Sequence, residues 1–364
     1  MIWGFGVTIM VLALIGWSVA GYFYYRSKEA APGFYSGLAN GEMPLLTEAP
    51  PKAKRMVVAT LAPAAPERRD LHGEAALELM KKLWQAELET VLPDRPDLIV
   101  LPEACDRFPS MSAEERLQWY EFRGDRMLDF FGNVARDNHC YLAYSAARKL
   151  ADGTYRNSTQ LIDRQGRVVG IYNKNYPVPS ETDDWKILCG RDSPVFETDF
   201  GRVGFAICFD LNFHELLERY AVLRPDLIVF SSMYHGGLMQ NYWAYHCRSY
   251  LVAAVGCGCE STVVNPVGMV VSHTTNYQHN QTALINLDYE LIHLAEVEKL
   301  QALKKKYGRG VTITDPGNLG VVLVTSELPD ISAHRMIEEF KIERWDEYYA
   351  RTVKHRNTPG KMEP

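Results

Sequence analysis

The chain has 364 residues, 47% hydrophobic and 23% charged, enough for one large domain or two modest ones. A formal net charge of −6 with no basic stripe argues against nucleic acid as a partner. The seven cysteines (105, 140, 189, 208, 247, 257 and 259) form no C-x-x-C pair, which argues against a disulfide framework or a zinc site and favours a reducing compartment.

Residues 2–25, from Ile2 to Tyr25, carry no charge and are long enough to span a hydrocarbon layer of about 30 Å. Trp3, Trp17 and the Tyr22–Tyr25 cluster resemble interfacial aromatics, and Arg26 and Lys28 follow at once. The positive-inside tendency then predicts a single-pass anchor with the rest of the chain in the cytoplasm. A cleaved signal peptide with export is the rival reading, because Ser18-Val19-Ala20 has the form of a cleavage site. The absence of a basic segment before the run favours the anchor. Residues 26–54 read as a linker, rich in breakers such as Pro32-Gly33 and Pro50-Pro51.

From Arg55 strands and helices alternate. Met56–Leu61 reads as a strand, and Leu77, Met80, Leu83, Trp84, Leu88 and Val91 lie at helical spacing. Asp97–Glu103 is an apolar strand ending at a carboxylate; Ala113–Asn138 is one long amphipathic helix, followed by strand Cys140–Ser145. Tyr155–Asp163 and Val168–Tyr172 form a hairpin. Val203–Ile207 is a buried strand that stops at Cys208, before a helix from Glu215. Next come strand Asp226–Ser231, a helix over Gln240–Leu251 and strands Val252–Cys257, Ser261–Pro266 and Thr282–Asp288. Cys257-Gly258-Cys259 is expected to pack in a strand rather than chelate a metal. The pattern predicts an α/β sandwich with sheets inside and helices outside. Residues 296–364 read as a charged C-terminal extension on the core or on a partner subunit, after a domain over 55–295.

Glu103, Lys174 and Cys208 each follow an apolar strand: Leu98-Ile-Val-Leu-Pro-Glu103, Val169-Gly-Ile-Tyr-Asn-Lys174 and Val203-Gly-Phe-Ala-Ile-Cys208. At a strand-to-helix junction a thiol is exposed, and free backbone N–H groups stabilise its thiolate. Attack of that sulfur on a carbonyl carbon needs a base for its proton and a cation or N–H donors for the developing oxyanion. A Glu, a Lys and a Cys at one sheet edge supply both.

These motifs, with Asn265-Pro-Val-Gly268 before the last core strand, resemble the carbon–nitrogen hydrolases, or nitrilase superfamily, over about residues 55–295. The resemblance implies a four-layer αββα sandwich that pairs into dimers or larger assemblies, with no cofactor. It implies Cys208 as nucleophile, Glu103 as general base and acid, and Lys174 with the Phe209 backbone N–H as oxyanion donors. Glu181 in Pro177-Val-Pro-Ser-Glu181 matches a second glutamate of the family. Asp210 reads as a structural hydrogen-bond partner, and Arg248 resembles a core-helix arginine of structural use. Two motifs depart from the family: Lys174-Asn-Tyr-Pro177 where many relatives continue with His-Leu, and Ser249-Tyr250-Leu251 after the arginine. Leu216, Leu217, Tyr220, Val222 and Leu223 exceed one core-facing stripe, which fits a helix that also meets a twin.

The leading expectation is an amidase or carbamoylase acting through a thioester on a small amide or carbamoyl substrate. Phe209-Asp210 after the cysteine resembles the amidases rather than the nitrile-cleaving relatives. A nitrile hydrolase, a membrane-associated N-acyltransferase and a non-enzymatic membrane-tethered scaffold are the alternatives; an electrophile that labels Cys208 separates the enzymes from the scaffold.

Overall fold

The computed structural model describes residues 55–363 except 69. The anchor expected at residues 2–25 and the linker at 26–54 lie outside the described residues. Among those described, no helix is long and apolar enough to cross a membrane.

The elements are, in chain order, β1 (Arg55–Leu61), α1 (Gly73–Val91), β2 (Leu98–Val100), α2 (Ala113–Arg123), α3 (Arg126–Asn138), β3 (Tyr141–Lys149), β4 (Tyr155–Ile162) and β5 (Val168–Asn173). Then follow α4 (Pro179–Asp183), β6 (Phe196–Glu197), β7 (Arg202–Ile207), α5 (His214–Leu223), β8 (Leu227–Ser232), α6 (Leu238–Cys247) and β9 (Tyr250–Val255). β10 (Thr262–Val264), β11 (Val270–His273), β12 (Asn280–Asn286) and β13 (Tyr289–His293) precede α7 (Val297–Tyr307), β14 (Val311–Thr314), β15 (Val321–Ser326), α8 (Ala333–Glu339) and α9 (Trp345–Arg356). The last helix belongs to a separate compact unit beginning at Asp346.

Two mixed six-stranded sheets share one plan. The first runs β12-β1-β2-β3-β4-β5 and the second β11-β10-β9-β8-β7-β6. In each the three central strands are parallel and the flanking pairs antiparallel. Strands buried on both faces read as continuous apolar runs, as Leu98–Val100 and Leu227–Phe230 do.

Side chains alternate across β1. Met56 and Val58 face the second sheet, in a core shared with Phe205, Val229 and Val252. Ala59 and Leu61 face outward, against Leu77, Met80 and Trp84 of α1 and Phe131 of α3. Leu216, Leu217 and Tyr220 of α5 and Trp243 of α6 join the second sheet's core. The layers are therefore helices, sheet, sheet, helices. β13, β15 and β14 form a third, antiparallel sheet with its own core of Ile292, Val322, Val324, Met336 and Ile337.

Four local expectations are corrected. The helix over 113–138 is two helices, because Gly124 turns to a left-handed φ of 50°. The helix expected to reach Leu251 ends at Cys247; Arg248 takes φ 57° after its end, and Leu251 belongs to β9. Cys257 and Cys259 lie in the turn between β9 and β10, their Sγ atoms 3.4 Å apart. Tyr220 is wholly buried, with its hydroxyl accepting from the Phe205 N–H, so this ring is core rather than a surface for a twin. Gly204 makes room for it, since a Cβ there would come within 2.8 Å of the ring.

Candidate active site

The carboxyl ends of the strands in both sheets face a common cavity of about 160 Å³, where open α/β folds place their ligands. Glu103, Asn157, Lys174, Glu181 and Cys208 all line it.

Glu103 follows β2 on a backbone still paired to the neighbouring strand: the Leu101 N–H donates to Ala143 O at 3.1 Å and the Cys105 N–H to Ser145 O at 3.1 Å. Its Oε1 accepts from Lys174 Nζ at 2.8 Å and from Asn157 Nδ2 at 2.8 Å, while Oε2 accepts from the Met233 N–H at 3.1 Å. Lys174 follows β5, and its backbone carbonyl accepts from the Gly190 N–H at 2.7 Å. Only glycine permits that approach, because a Cβ at 190 would lie 2.2 Å from Asn173 O.

Lys174 is 1% exposed, and its Nζ also donates to Glu181 Oε2 at 2.6 Å. Glu181 sits in the short helix α4, and the Val178 N–H donates to the same Oε2 at 2.9 Å. Asn157 Nδ2 donates to Glu181 Oε1 at 2.8 Å as well as to Glu103, so one amide ties the two carboxylates together. The opposite amide orientation would set an oxygen against two anions. Asn157 Oδ1 is buried and accepts no hydrogen bond.

Cys208 follows β7 with φ 53° and opens a 3-10 turn over Cys208–Asn212, so the thiol leaves the sheet at a strained corner. Asp210 anchors that corner from beneath: its Oδ2 accepts from the Ile207 N–H at 3.0 Å and Tyr172 hydroxyl at 2.7 Å, and its Oδ1 from the Tyr176 N–H at 2.9 Å. Burial lifts its carboxyl to about 6. Phe209 is half exposed, and its N–H is one of the amides at the start of the turn that lack an intrahelical acceptor.

The Cys208 thiol lies beside the Glu103 carboxylate. Burial pushes the thiol up to about 12, with the Glu103 charge adding and the Lys174 charge opposing. Burial would raise Glu103 too, but the Lys174 ammonium and the hydrogen bonds outweigh it and hold the carboxyl below its ordinary value. Burial would lower Lys174, and the charges of Glu103 and Glu181 more than reverse that. The resting site is thus a protonated thiol, an ionised glutamate and a charged lysine.

The structure brings Glu103, Lys174, Glu181 and Cys208 together. The sequence reading missed Asn157, the Met233 N–H and the cavity wall of Arg107, Tyr120 and Trp185. Asn157 lies within the strand motif Tyr155-Arg-Asn-Ser-Thr, where nothing local separates it from its polar neighbours. Among the described residues no group of three or more His, Cys, Asp or Glu side chains is arranged to hold a metal ion.

A sandwich of two mixed sheets with a Cys, a Lys and a Glu just beyond strand ends, and a second Glu from a short helix, defines a nitrilase-like α/β protein. The carbon–nitrogen hydrolase family matches residues 69–297, more than half of the chain, and the chain belongs to that family. A hydrolase encoded in the agr operon of Staphylococcus lugdunensis is 26% identical over 210 residues, covering 53% of this chain and 88% of that protein. The deaminated glutathione amidase of Homo sapiens is 26% identical over 222 residues, 53% of this chain and 67% of that one. The human omega-amidase is 27% identical over 222 residues, 54% and 73% respectively. Among solved structures, a nitrilase-superfamily protein of Saccharomyces cerevisiae superposes with a TM-score of 0.55 at 16% identity, over 75% of this chain and 100% of that one. An amidase variant of Nesterenkonia sp., carrying the acetamide moiety of fluoroacetamide on its active-site cysteine, gives 0.52 at 17% identity, over 66% and 93%. These likenesses extend to the fold.

Proposed function

We propose that this protein is an amidase, which hydrolyses the C–N bond of a small carboxamide through a thioester on Cys208. The observation that carries the reading is the position of the Glu103 carboxylate, beside the Cys208 thiol and hydrogen-bonded to Lys174 within one cavity. The names of the relatives, amidases in two of the three cited, support the same class.

Glu103 takes the thiol proton as sulfur bonds to the carbonyl carbon. Lys174 has three N–H donors and spends two on Glu103 and Glu181, which leaves the third for the oxyanion together with the Phe209 N–H. As the C–N bond breaks, Glu103 gives its proton to the departing nitrogen, which leaves as ammonia or an amine. Glu103 then deprotonates a water that attacks the thioester, the C–S bond breaks, and the sulfur regains a proton. Glu181 and Asn157 hold Glu103 and Lys174 in register throughout. Peptide-level mass analysis of enzyme quenched during turnover and then digested tests this. It should show an acyl group on the Cys208 peptide, and ammonia release without such an adduct would remove the thioester.

We propose further that residues 2–25 anchor the chain in a membrane, on the strength of their uncharged run, and that the protein pairs with a second copy. Val222 at 60% and Leu238 at 79% exposure, on α5 and α6, support a paired face. Membrane fractionation of the full chain tests the first and light scattering of solubilised protein the second.

A further inference from the structure

Cys257 and Cys259 place two free thiols side by side, the first exposed and the second half-buried. The Cys257 S–H donates to the Cys259 sulfur, with the two Sγ atoms 3.4 Å apart. Two successive left-handed residues make the turn that holds them, Cys257 at φ 62° and Gly258 at φ 76°. The Cys259 N–H closes it on Gly256 O at 3.5 Å. Glycine, asparagine or aspartate ordinarily takes such positions, and cysteine at 257 is strained there. A Cβ at Gly258 would meet nothing within 4 Å, so the turn opens outward on that side. Residues two apart span at most about 7 Å when extended and less across a turn, which is within reach of a disulfide.

The other side of the turn leans on the catalytic centre. Cys257 lines a second cavity of about 130 Å³, whose wall also includes Glu103 and Met233. The Gly256 N–H donates to Ser232 O at 2.8 Å. Gly256 packs so closely that a Cβ there would lie 2.5 Å from Met233 Sδ and 3.7 Å from Pro102 Cβ. Pro102 immediately precedes Glu103, and the Met233 N–H donates to Glu103 Oε2 at 3.1 Å. The same N–H favours the thiolate of Cys208. The residue before the thiol pair therefore touches both segments that set the geometry of Glu103 and Cys208.

Burial, and next the hydrogen bond to Cys259, push the Cys257 thiol up to about 11, so it holds its proton at neutral pH. We propose that Cys257 and Cys259 form a modification site for hydroperoxides, which oxidise the pair to a disulfide and thereby slow the chemistry at Cys208. The Cys259 sulfur attacks the peroxide, the O–O bond breaks, and a sulfenic acid and one water form. The Cys257 sulfur then attacks that sulfenic sulfur, the S–O bond breaks, and hydroxide leaves with the Cys257 proton as a second water. Two thiols lose two electrons and hydrogen peroxide gains them. Closing a gap of 3.4 Å to a bond of about 2.05 Å draws the turn in and shifts Gly256 against Met233. The Met233 N–H then leaves Glu103 and Cys208, and the Cys208 thiolate loses a donor.

The full chain is treated with limited hydrogen peroxide, catalase removes the excess, and iodoacetamide is added for increasing times before digestion with trypsin. Peptide Ser249–Lys299 carries Cys257 and Cys259 and no other cysteine, and Val203–Arg219 carries Cys208 alone. After peroxide the first peptide should be two hydrogens lighter and take up no label, and Cys208 should be alkylated at least threefold more slowly. Dithiothreitol should restore both. Cys257→Ser and Cys259→Ser should each alkylate Cys208 at the untreated wild-type rate, with or without peroxide. Two alkylated or sulfonated cysteines in place of the disulfide, a disulfide that leaves the Cys208 rate unchanged, or slowing that persists in both serine variants overturns the inference. Neither readout uses an amide substrate, so this inference and the amidase reading stand or fall separately.

Discussion

Glu103 and Asp106 lie three residues apart on one turn, both buried and both paired with a cation, yet their surroundings differ. Asp106 meets Arg123 Nε at 2.9 Å, accepts from the Tyr144 hydroxyl and is closed off from solvent. Its backbone carbonyl accepts from Trp119 Nε1 at 2.9 Å, and Arg123 donates on to Gly124 O and Ala147 O. That cluster is charge-balanced and faces no cavity. The Glu103 cluster sets two carboxylates on one lysine and opens on a thiol; each cluster leaves a buried oxygen without a donor, Asn157 Oδ1 in this one and Asp106 Oδ1 in the other. A buried ion pair alone does not mark a site. Unbalanced charge beside a nucleophile at a cavity does.

The largest effect expected from breaking this contrast is on turnover. Cys208→Ala and Glu103→Gln should each lower kcat by about 10⁴-fold or more, with little further loss in the double variant, since residues acting as one unit are not additive. Asp106→Asn, assayed per folded molecule, should stay within about tenfold of wild type. Steady-state ammonia release on the best substrate measures all of these. A Cys208→Ala enzyme with wild-type turnover would end the proposed chemistry.

Stability should separate the two clusters next. Arg123→Met strands Asp106 without its cation and should cost about 3–5 kcal/mol in denaturant unfolding. Lys174→Met strands two carboxylates, but they can share a proton, so its loss should shrink as pH falls toward 5. If both variants keep the same pH dependence of stability, the difference between the clusters is not electrostatic.

Much of this site was legible because each of its three principal side chains directly follows an apolar strand, where a polar residue stands out. The rest was not. Asn157 is one polar residue among several in β4, and its contact with both glutamates depends on α4, more than twenty residues away. Arg107 drew no notice, since nothing in the residues around it shows that it will line the cavity. Periodicity misled where a left-handed residue ended a helix, at Gly124 and at Arg248, because hydrophobic spacing carries over such a break. The strands of the third sheet beyond residue 296 were missed within what read as a charged extension, because their pairing with β13 needed long-range register.

The pH profile is the third test. Glu103 is held low and Cys208 lifted to about 12, so the competent pairing of carboxylate and thiol spans a wide interval. The logarithm of kcat/KM should be flat from about pH 5.5 to 9, with its acid limb below the usual glutamate value of about 4.3. A depressed carboxyl also stabilises the fold above its unfolded value and loses that contribution as pH falls through the folded one, so acid should weaken activity and stability together. A limb rising near pH 8.5 would instead indicate an ordinary thiol whose ionisation drives the reaction.

The smallest effect concerns the backbone. Cys208 at φ 53° and Ala104 at φ 48° hold a conformation that costs an L-residue about 1–2 kcal/mol, and they flank the reacting pair, one at the thiol and one just after Glu103. In an ordinary strand or helix, alanine is more stable than glycine by roughly 0.5–1 kcal/mol. At position 208 the order should reverse, with Cys208→Gly at least as stable as Cys208→Ala, because glycine adopts the corner without strain. Ala104→Gly keeps the nucleophile, so it reads out both quantities at once: its denaturation midpoint should rise by the equivalent of about 1 kcal/mol at unchanged slope. Its kcat should fall a few-fold, since a freer turn holds Glu103 less tightly against Cys208. A variant that gains stability with no loss of rate would show that the strained turn serves chain reversal rather than catalytic alignment.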